Sequence, residues 1–202
     1  MAVARNRFEE LQVEKTGGGE DCVKLMAPIS PTPPALIEEA LNRIAQDALV
    51  SHGATIIDLG CGDGRWLISA AEFFAARGSA THGKGYDLDT VLLAKAREAA
   101  AGITSTATEL GSTVQFDELD LMLADVSGAT LVIAYLFREG IMSVMEKLER
   151  EMAPSKVGVL SIGFALKSWG SPKWTLRIEG SVPCYFYSPP WRQCSEANDP
   201  AP

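Results

Sequence analysis

Asp58-Leu59-Gly60-Cys61-Gly62-Asp63-Gly64-Arg65 is the stretch that decides the fold. It ends a short β-branched run, Ala54-Thr55-Ile56-Ile57, that reads as a buried strand, and it opens a segment at helical spacing over about 65–76. Glycines at alternate positions let the chain turn sharply and bring its backbone close to a ligand. The helix start behind them offers amide donors that the helix itself cannot satisfy. Strand, glycine turn and helix in that order begin a doubly wound α/β unit, whose ligands bind at the carboxyl ends of the strands. Counted from Gly60, the dinucleotide fingerprint G-x-G-x-x-G requires glycine where this chain has Arg65. The pattern is therefore Asp-x-Gly-x-Gly-x-Gly, and its candidate binding residues are Asp58, Gly60, Cys61, Gly62 and Gly64. Cys61 reads as a small residue that fits the loop.

Strands and helices alternate on both sides of this loop. In Ser30-Pro31-Thr32-Pro33-Pro34, Thr32 is placed to cap a helix whose first residue is Pro33. Leu36, Ile37, Ala40, Leu41, Ile44 and Ala48 then recur at helical spacing to about residue 49. Downstream the pattern predicts a strand at about 81–86, a helix opened by Asp89 and closed by Gly102, and a strand near 113–116. A nearly all-apolar strand at 130–135, a helix at 140–152 and a buried strand at 156–164 follow. Residues 174–179 and 184–187 then alternate as two strands with no helix between them. The expected class is α/β: a Rossmann-like doubly wound sheet, mostly parallel, with a C-terminal antiparallel hairpin. Residues 1–27, with Gly17-Gly18-Gly19, are expected to form a flexible lead-in, 28–188 the folded domain, and 189–202 a Pro-rich flexible tail.

Composition narrows the function classes. The 202 residues, 47% of them hydrophobic, suit one soluble domain. Eighteen Lys+Arg against 26 Asp+Glu leave a net charge of −8, which repels polyphosphate backbones and counts against nucleic acid as a partner. Cys22, Cys61, Cys184 and Cys194 form no CxxC pair and no cluster with His52 and His82, so no metal is expected and a reducing compartment fits. The longest apolar runs, 129–136 and 157–166, fall short of the roughly 20 residues that span a bilayer. Residues 1–10 lack the apolar stretch of a secretory signal, and the expected location is cytoplasmic.

A second acid stands where a nucleoside would need it. Gly85-Tyr86-Asp87 closes the second strand, where a carboxylate can accept two hydrogen bonds from a ribose diol while the glycine admits the sugar. After the third strand, Asp120 can accept from an adenine amine and Leu121 can pack on the ring, with Asp117 and Asp125 as competitors for the first role. Trp66, Phe73 and Phe74 read as core. The charges over 146–151 read as a solvated helix face, with Glu146–Arg150 and Lys147–Glu151 at i,i+4 spacing.

With these residues in view, the chain resembles the class I, seven-β-strand S-adenosylmethionine-dependent methyltransferases over about 29–187. The loop DLGCGDG at 58–64 matches the family's cofactor loop, Gly85-Tyr86-Asp87 its acidic second-strand end, and the last hairpin its antiparallel strand. Pro31-Thr32-Pro33, Arg65 after the loop, Tyr135-Leu136-Phe137, the 145–152 segment and Phe164 to Trp169 are similar to a narrower group. That group comprises the small protein-lysine methyltransferases of the ATP synthase c-subunit and the adenine nucleotide translocase, with their bacterial relatives. The resemblance implies S-adenosyl-L-methionine as cofactor and a protein presenting a lysine as partner, and it adds the mitochondrion to the expected locations. It also implies that the amino and carboxylate groups of the methionine part meet Asp58 and the loop from Gly60 to Gly64, and the ribose Asp87. Thr32 would close the pocket from the N-terminal side, or act only as a helix cap.

Methyl transfer to an amine is an in-line displacement that asks for positioning, a dry site and a neutral nitrogen. No catalytic triad is expected. Tyr135, ending the fourth strand, is the candidate catalytic residue, lining the acceptor channel and holding an alkyl ammonium by cation–π attraction; a core tyrosine is the competing reading. Trp169 and Trp174 flank a turn and are read either as a substrate rim or as packing. Two other functions stay open: a small-molecule or RNA methyltransferase on the same fold, and a non-catalytic module that binds S-adenosylmethionine. The absence of an Asn-Pro-Pro-Tyr-like motif after the fourth strand counts against base methylation, and intact Asp58 and Asp87 count against a decayed site.

Overall fold

The structure, a computed structural model, describes residues 31–152 and 156–189. The expected lead-in over 1–27 and the expected tail from residue 190 onward lie outside the described residues. Helix α1 (Pro34–Gln46) buries Leu36, Ile37, Ala40, Leu41 and Ile44, the stripe read from the sequence. Its start is one residue later than expected, and Thr32 is not its cap. Pro33 takes that place, extended at ψ 140, because a residue before proline is held out of the helical region and Pro34 suits the first position.

Then come β1 (Ala54–Leu59), α2 (Arg65–Ala75), β2 (Thr81–Asp87), α3 (Thr90–Ala100), the five-residue α4 (Ser105–Glu109) and β3 (Thr113–Glu118). The chain continues through β4 (Leu131–Ala134), α5 (Arg138–Glu151), β5 (Gly158–Ile162), β6 (Trp174–Leu176) and β7 (Cys184–Tyr187). Asp89 caps α3 as expected, accepting from the amides of Val91 and Leu92. The seven strands lie in the order β3-β2-β1-β4-β5-β7-β6. Strands β1 to β5 pair in parallel, and β7 runs antiparallel between β5 and β6. This is the expected Rossmann-like sheet with its terminal hairpin. From β1 the strand order runs outward in opposite directions through β2 and β4, so a crevice opens at the carboxyl ends of β1 and β4.

Successive side chains of a strand face opposite sides, and β1 shows it: Ile56 packs with α1 and α2, Ile57 and Leu59 with α5. Asp58 therefore faces the α1 and α2 side. Strand β4 is apolar throughout and fully buried, as a central parallel strand requires. Edge strand β3 is largely exposed, and Arg97 of α3 donates Nε and Nη2 to its Phe116 carbonyl at 3.0 and 2.8 Å, occupying a group that could otherwise pair with another chain. Among the described residues no helix is long and apolar enough to cross a membrane.

Two sequence expectations change. On α5, Lys147 is buried rather than solvated; its aliphatic stem joins the apolar face while Nζ reaches Glu151 Oε2 at 2.5 Å. Arg150 also turns to Glu151, at 3.1 Å, rather than to Glu146. The tryptophans do not form a rim, and the packing alternative holds. After β5 the chain returns along the α5 side, where Trp169 donates Nε1 to Glu149 at 2.6 Å and stands edge-on to Tyr187 at 5.9 Å. Trp174 stacks on Phe186 at 4.9 Å, with Arg43 from the last turn of α1 over its ring, away from the carboxyl edge.

Candidate active site

The loop after β1 is held by its own backbone. The amides of Gly60 and Cys61 both donate to the Tyr86 carbonyl, at 2.9 and 3.1 Å, and Gly64 donates to Cys61 at 2.9 Å. Gly60 and Gly64 have φ of +81° and +76°, in the left-handed region that glycine alone enters at no cost. Space forbids a side chain as well: a Cβ at Gly60 would lie 2.7 Å from Leu136 Cδ2, and one at Gly64 only 2.4 Å from Phe116 Cζ. Gly62, by contrast, would meet nothing nearer than Leu92 at 3.9 Å, which marks the open side of the loop.

Asp58 lies at the head of this loop, 1% exposed, and neither of its carboxylate oxygens has a hydrogen-bond partner. Burial, reinforced by the nearby carboxylates of Asp87 and Asp63, pushes its pKa up to about 8. An unpaired buried acid is costly, and a cationic group placed against it would offset that cost. The methionine end of S-adenosylmethionine carries such a group, an ammonium, so these residues fit that cofactor.

Asp87 is already oriented. Its Oδ2 accepts from the Gly62 amide at 2.8 Å and its Oδ1 from Asp89 at 2.9 Å, which leaves each oxygen a lone pair for a further donor. Gly85 does not leave room for a sugar, contrary to expectation. A Cβ there would lie 2.6 Å from Phe116 and 2.9 Å from Cys61, so the glycine is needed to seat the loop against β2. Cys61 is buried as that packing piece, its thiol pushed up by burial and by Asp58 and Asp87, and it stays protonated.

Thr32 is brought to the loop by a device the sequence reading overlooked. The Arg65 guanidinium pairs with Asp63 and donates Nη1 to the Thr32 carbonyl at 3.0 Å. Trp66, the next residue, donates Nε1 to the Thr32 hydroxyl at 3.2 Å. Hydrogen bonding from Arg65 holds the Asp63 carboxyl below the usual range. The signal was present in Arg65, standing where the dinucleotide fingerprint has glycine.

Asp120 is exposed just past β3, its Oδ1 accepting from the Met122 amide at 2.9 Å. Leu119 donates to the Asp87 carbonyl at 3.2 Å, which brings this segment beside Asp87, and Leu121 is half-buried there. Asp117 is exposed at the end of β3, and Asp125 is engaged with the Ser127 amide at 2.9 Å. Tyr135 is half-buried directly after β4; its carbonyl lies 3.3 Å from where a Gly60 Cβ would be, and its ring approaches Gly163. Burial raises its hydroxyl pKa. The carboxyl ends of β1 to β4 thus gather Asp58, the glycine loop, Asp87, Asp120, Leu121 and Tyr135 at one edge, with Thr32 clipped alongside.

The chain is similar to known proteins in sequence and fold. The ANTKMT methyltransferase domain family matches residues 58–173. A protein-lysine N-methyltransferase of Saccharolobus islandicus (strain REY15A) is 31% identical over 153 residues, 75% of this chain and 85% of that protein. An RNA methyltransferase from Salinibacter ruber, solved with S-adenosyl-L-homocysteine, is 30% identical with a TM-score of 0.61, covering 84% of this chain and 100% of that one. The rRNA methyltransferase aviRa of Streptomyces viridochromogenes shares the fold at a TM-score of 0.53 and 14% identity, over 80% of this chain and 87% of its own.

Proposed function

Because the chain belongs to the ANTKMT methyltransferase domain family and is an S-adenosylmethionine-dependent methyltransferase, we propose that it methylates the side-chain amine of a lysine in a protein. The observation that carries this reading is the placement, at one switch point, of a buried unpartnered Asp58 and the half-buried Tyr135 ring. The protein-lysine N-methyltransferase relative supports the acceptor class.

In this reading Asp58 accepts hydrogen bonds from the cofactor's ammonium, and the open side of the loop at Gly62 faces its carboxylate. Asp87 accepts from the ribose hydroxyls with its remaining lone pairs, Asp120 from the adenine amine, and Leu121 packs on the ring. Thr32, clipped by Arg65 and Trp66, walls the N-terminal side. When bound, the cofactor supplies an electrophilic methyl group on a sulfonium. The chain's own task is to hold a lysine nitrogen in line and to exclude water. Desolvation beside Tyr135 favours the neutral amine, whose proton passes to water, and the ring face holds the alkylated nitrogen.

RNA is the second reading, favoured by the Salinibacter ruber relative. The net charge of −8 counts against it. The discriminating experiment incubates the protein and isotope-labelled S-adenosylmethionine with a cell lysate, with and without ribonuclease. The lysine reading expects nuclease-resistant label in a protein band, recovered as methyl-lysine. Label confined to RNA would overturn it.

A further inference from the structure

Among the described residues, the large hydrophobic side chains that stand exposed are Leu88, Val91, Met122, Leu123 and Met142, between 40% and 73% accessible. All belong to segments leaving the carboxyl ends of β2, β3 and β4. Leu88 and Val91 flank the cap of α3, Met122 and Leu123 follow Asp120, and Met142 lies in the second turn of α5. Single exposed apolar residues scattered over a surface need no explanation, and Leu88 and Val91 lead into α3, which packs on the α1 and α2 side; Met122, Leu123 and Met142 belong to segments whose Leu121, Ala124 and Ile141 share the α5-side cluster, and these three form the candidate patch. This edge is also where an acceptor must enter.

The exposure is built in. The Asp120 side chain accepts from the Met122 amide at 2.9 Å and its carbonyl from the Leu123 amide at 2.8 Å, a turn that presents Leu123 to solvent. Acids stand beside the apolar residues: Asp117 and Glu118 are exposed on β3 and no Lys or Arg occurs over 117–125, while α5 opens with the exposed pair Arg138 and Glu139.

Resting on the lysine reading above, we propose that this acidic, apolar rim is the docking surface for the protein substrate, and that it selects a lysine flanked by basic and apolar residues. Apolar side chains of the substrate bury against Leu123 and Met142, and neighbouring cations meet the β3 carboxylates of Asp117 and Glu118. A polyanion would meet repulsion along 117–125 and leave the apolar side chains uncovered.

Two synthetic peptides with one lysine each, LLRKRLL and SSEKESS, test this against the protein saturated with S-adenosylhomocysteine for binding, or supplied with S-adenosylmethionine for turnover. LLRKRLL is expected to bind about tenfold tighter or more, consistent with a few apolar anchors dominating an interface. The double substitution Leu123→Ser with Met142→Ser, both at exposed positions outside the cofactor residues, is expected to remove most of that preference and leave S-adenosylhomocysteine affinity unchanged. Equal methylation of the two peptides, or a double variant that keeps the preference, would overturn the rim and leave the lysine reading standing. Label entering an RNA oligonucleotide and neither peptide would overturn both.

Discussion

A carboxylate held out of water with no donor near it weakens the folded state unless it keeps its proton or meets a cation, and Asp58 is in that position. Its pKa is raised from 3.8 to about 8, chiefly by burial and then by Asp87 and Asp63. The Arg65 guanidinium, on the loop's far end, is committed to Asp63 and the Thr32 carbonyl. Between these two pKa values the folded state holds a proton that the unfolded chain releases. Asp58's contribution to stability is therefore complete below about pH 4 and is lost as pH rises through about 8. Thermal melts of the ligand-free protein should fall in this window relative to the Asp58→Asn variant, which lacks the titration; parallel melting curves would contradict the assignment. The Asp at 58 was legible in the sequence from its place before the glycines. Its isolation was not, because it depends on Ile56 and Asp58 sharing the α1 and α2 side of the sheet. Gly85 shows the converse: a glycine beside an acid reads as room for a ligand, whereas here Cys61 and Phe116 fill the space.

At the scale of elements, the glycine loop works because it is clipped on two sides, to Asp87 through Gly62 and to Thr32 through Arg65 and Trp66. Thr32→Val keeps the shape and removes the acceptor of the Trp66 indole, leaving a buried N–H unpaired. The expected cost is about 1–3 kcal/mol, read as a lower denaturant midpoint at unchanged m-value. A midpoint equal to that of the parent would mean that the clip contributes nothing. Helix stripes such as that of α1, and the cap of α3 by Asp89, were readable because period and cap chemistry are local. Helix α4, Ser-Thr-Ala-Thr-Glu, is too short to show a stripe, with Ala107 its sole buried residue. Lys147 misled for a related reason: charge pattern along a helix does not disclose how far an aliphatic stem is covered.

For the whole molecule, alternation of strand and helix was enough to imply a doubly wound sheet, since handed parallel connections leave few topologies. The helix-free end implied the hairpin, and β7 between β5 and β6 bears it out. The return path after β5 was not implied, because it follows from tertiary partners: Trp169 on Glu149 and Tyr187, and Trp174 on Phe186. That path moves both tryptophans off the carboxyl edge and leaves the edge to the segments after β2, β3 and β4. The proposed cofactor site lies at a single crevice, where Asp58 and Asp87 stand on neighbouring strands and Asp120 follows β3. A calorimetric titration of S-adenosylhomocysteine into the protein, and into Asp58→Ala and Asp87→Ala variants verified as folded by their melting transitions, tests this most directly. The account predicts one site per chain in the parent and loss of measurable binding in both variants; unchanged affinity in either folded variant would contradict it.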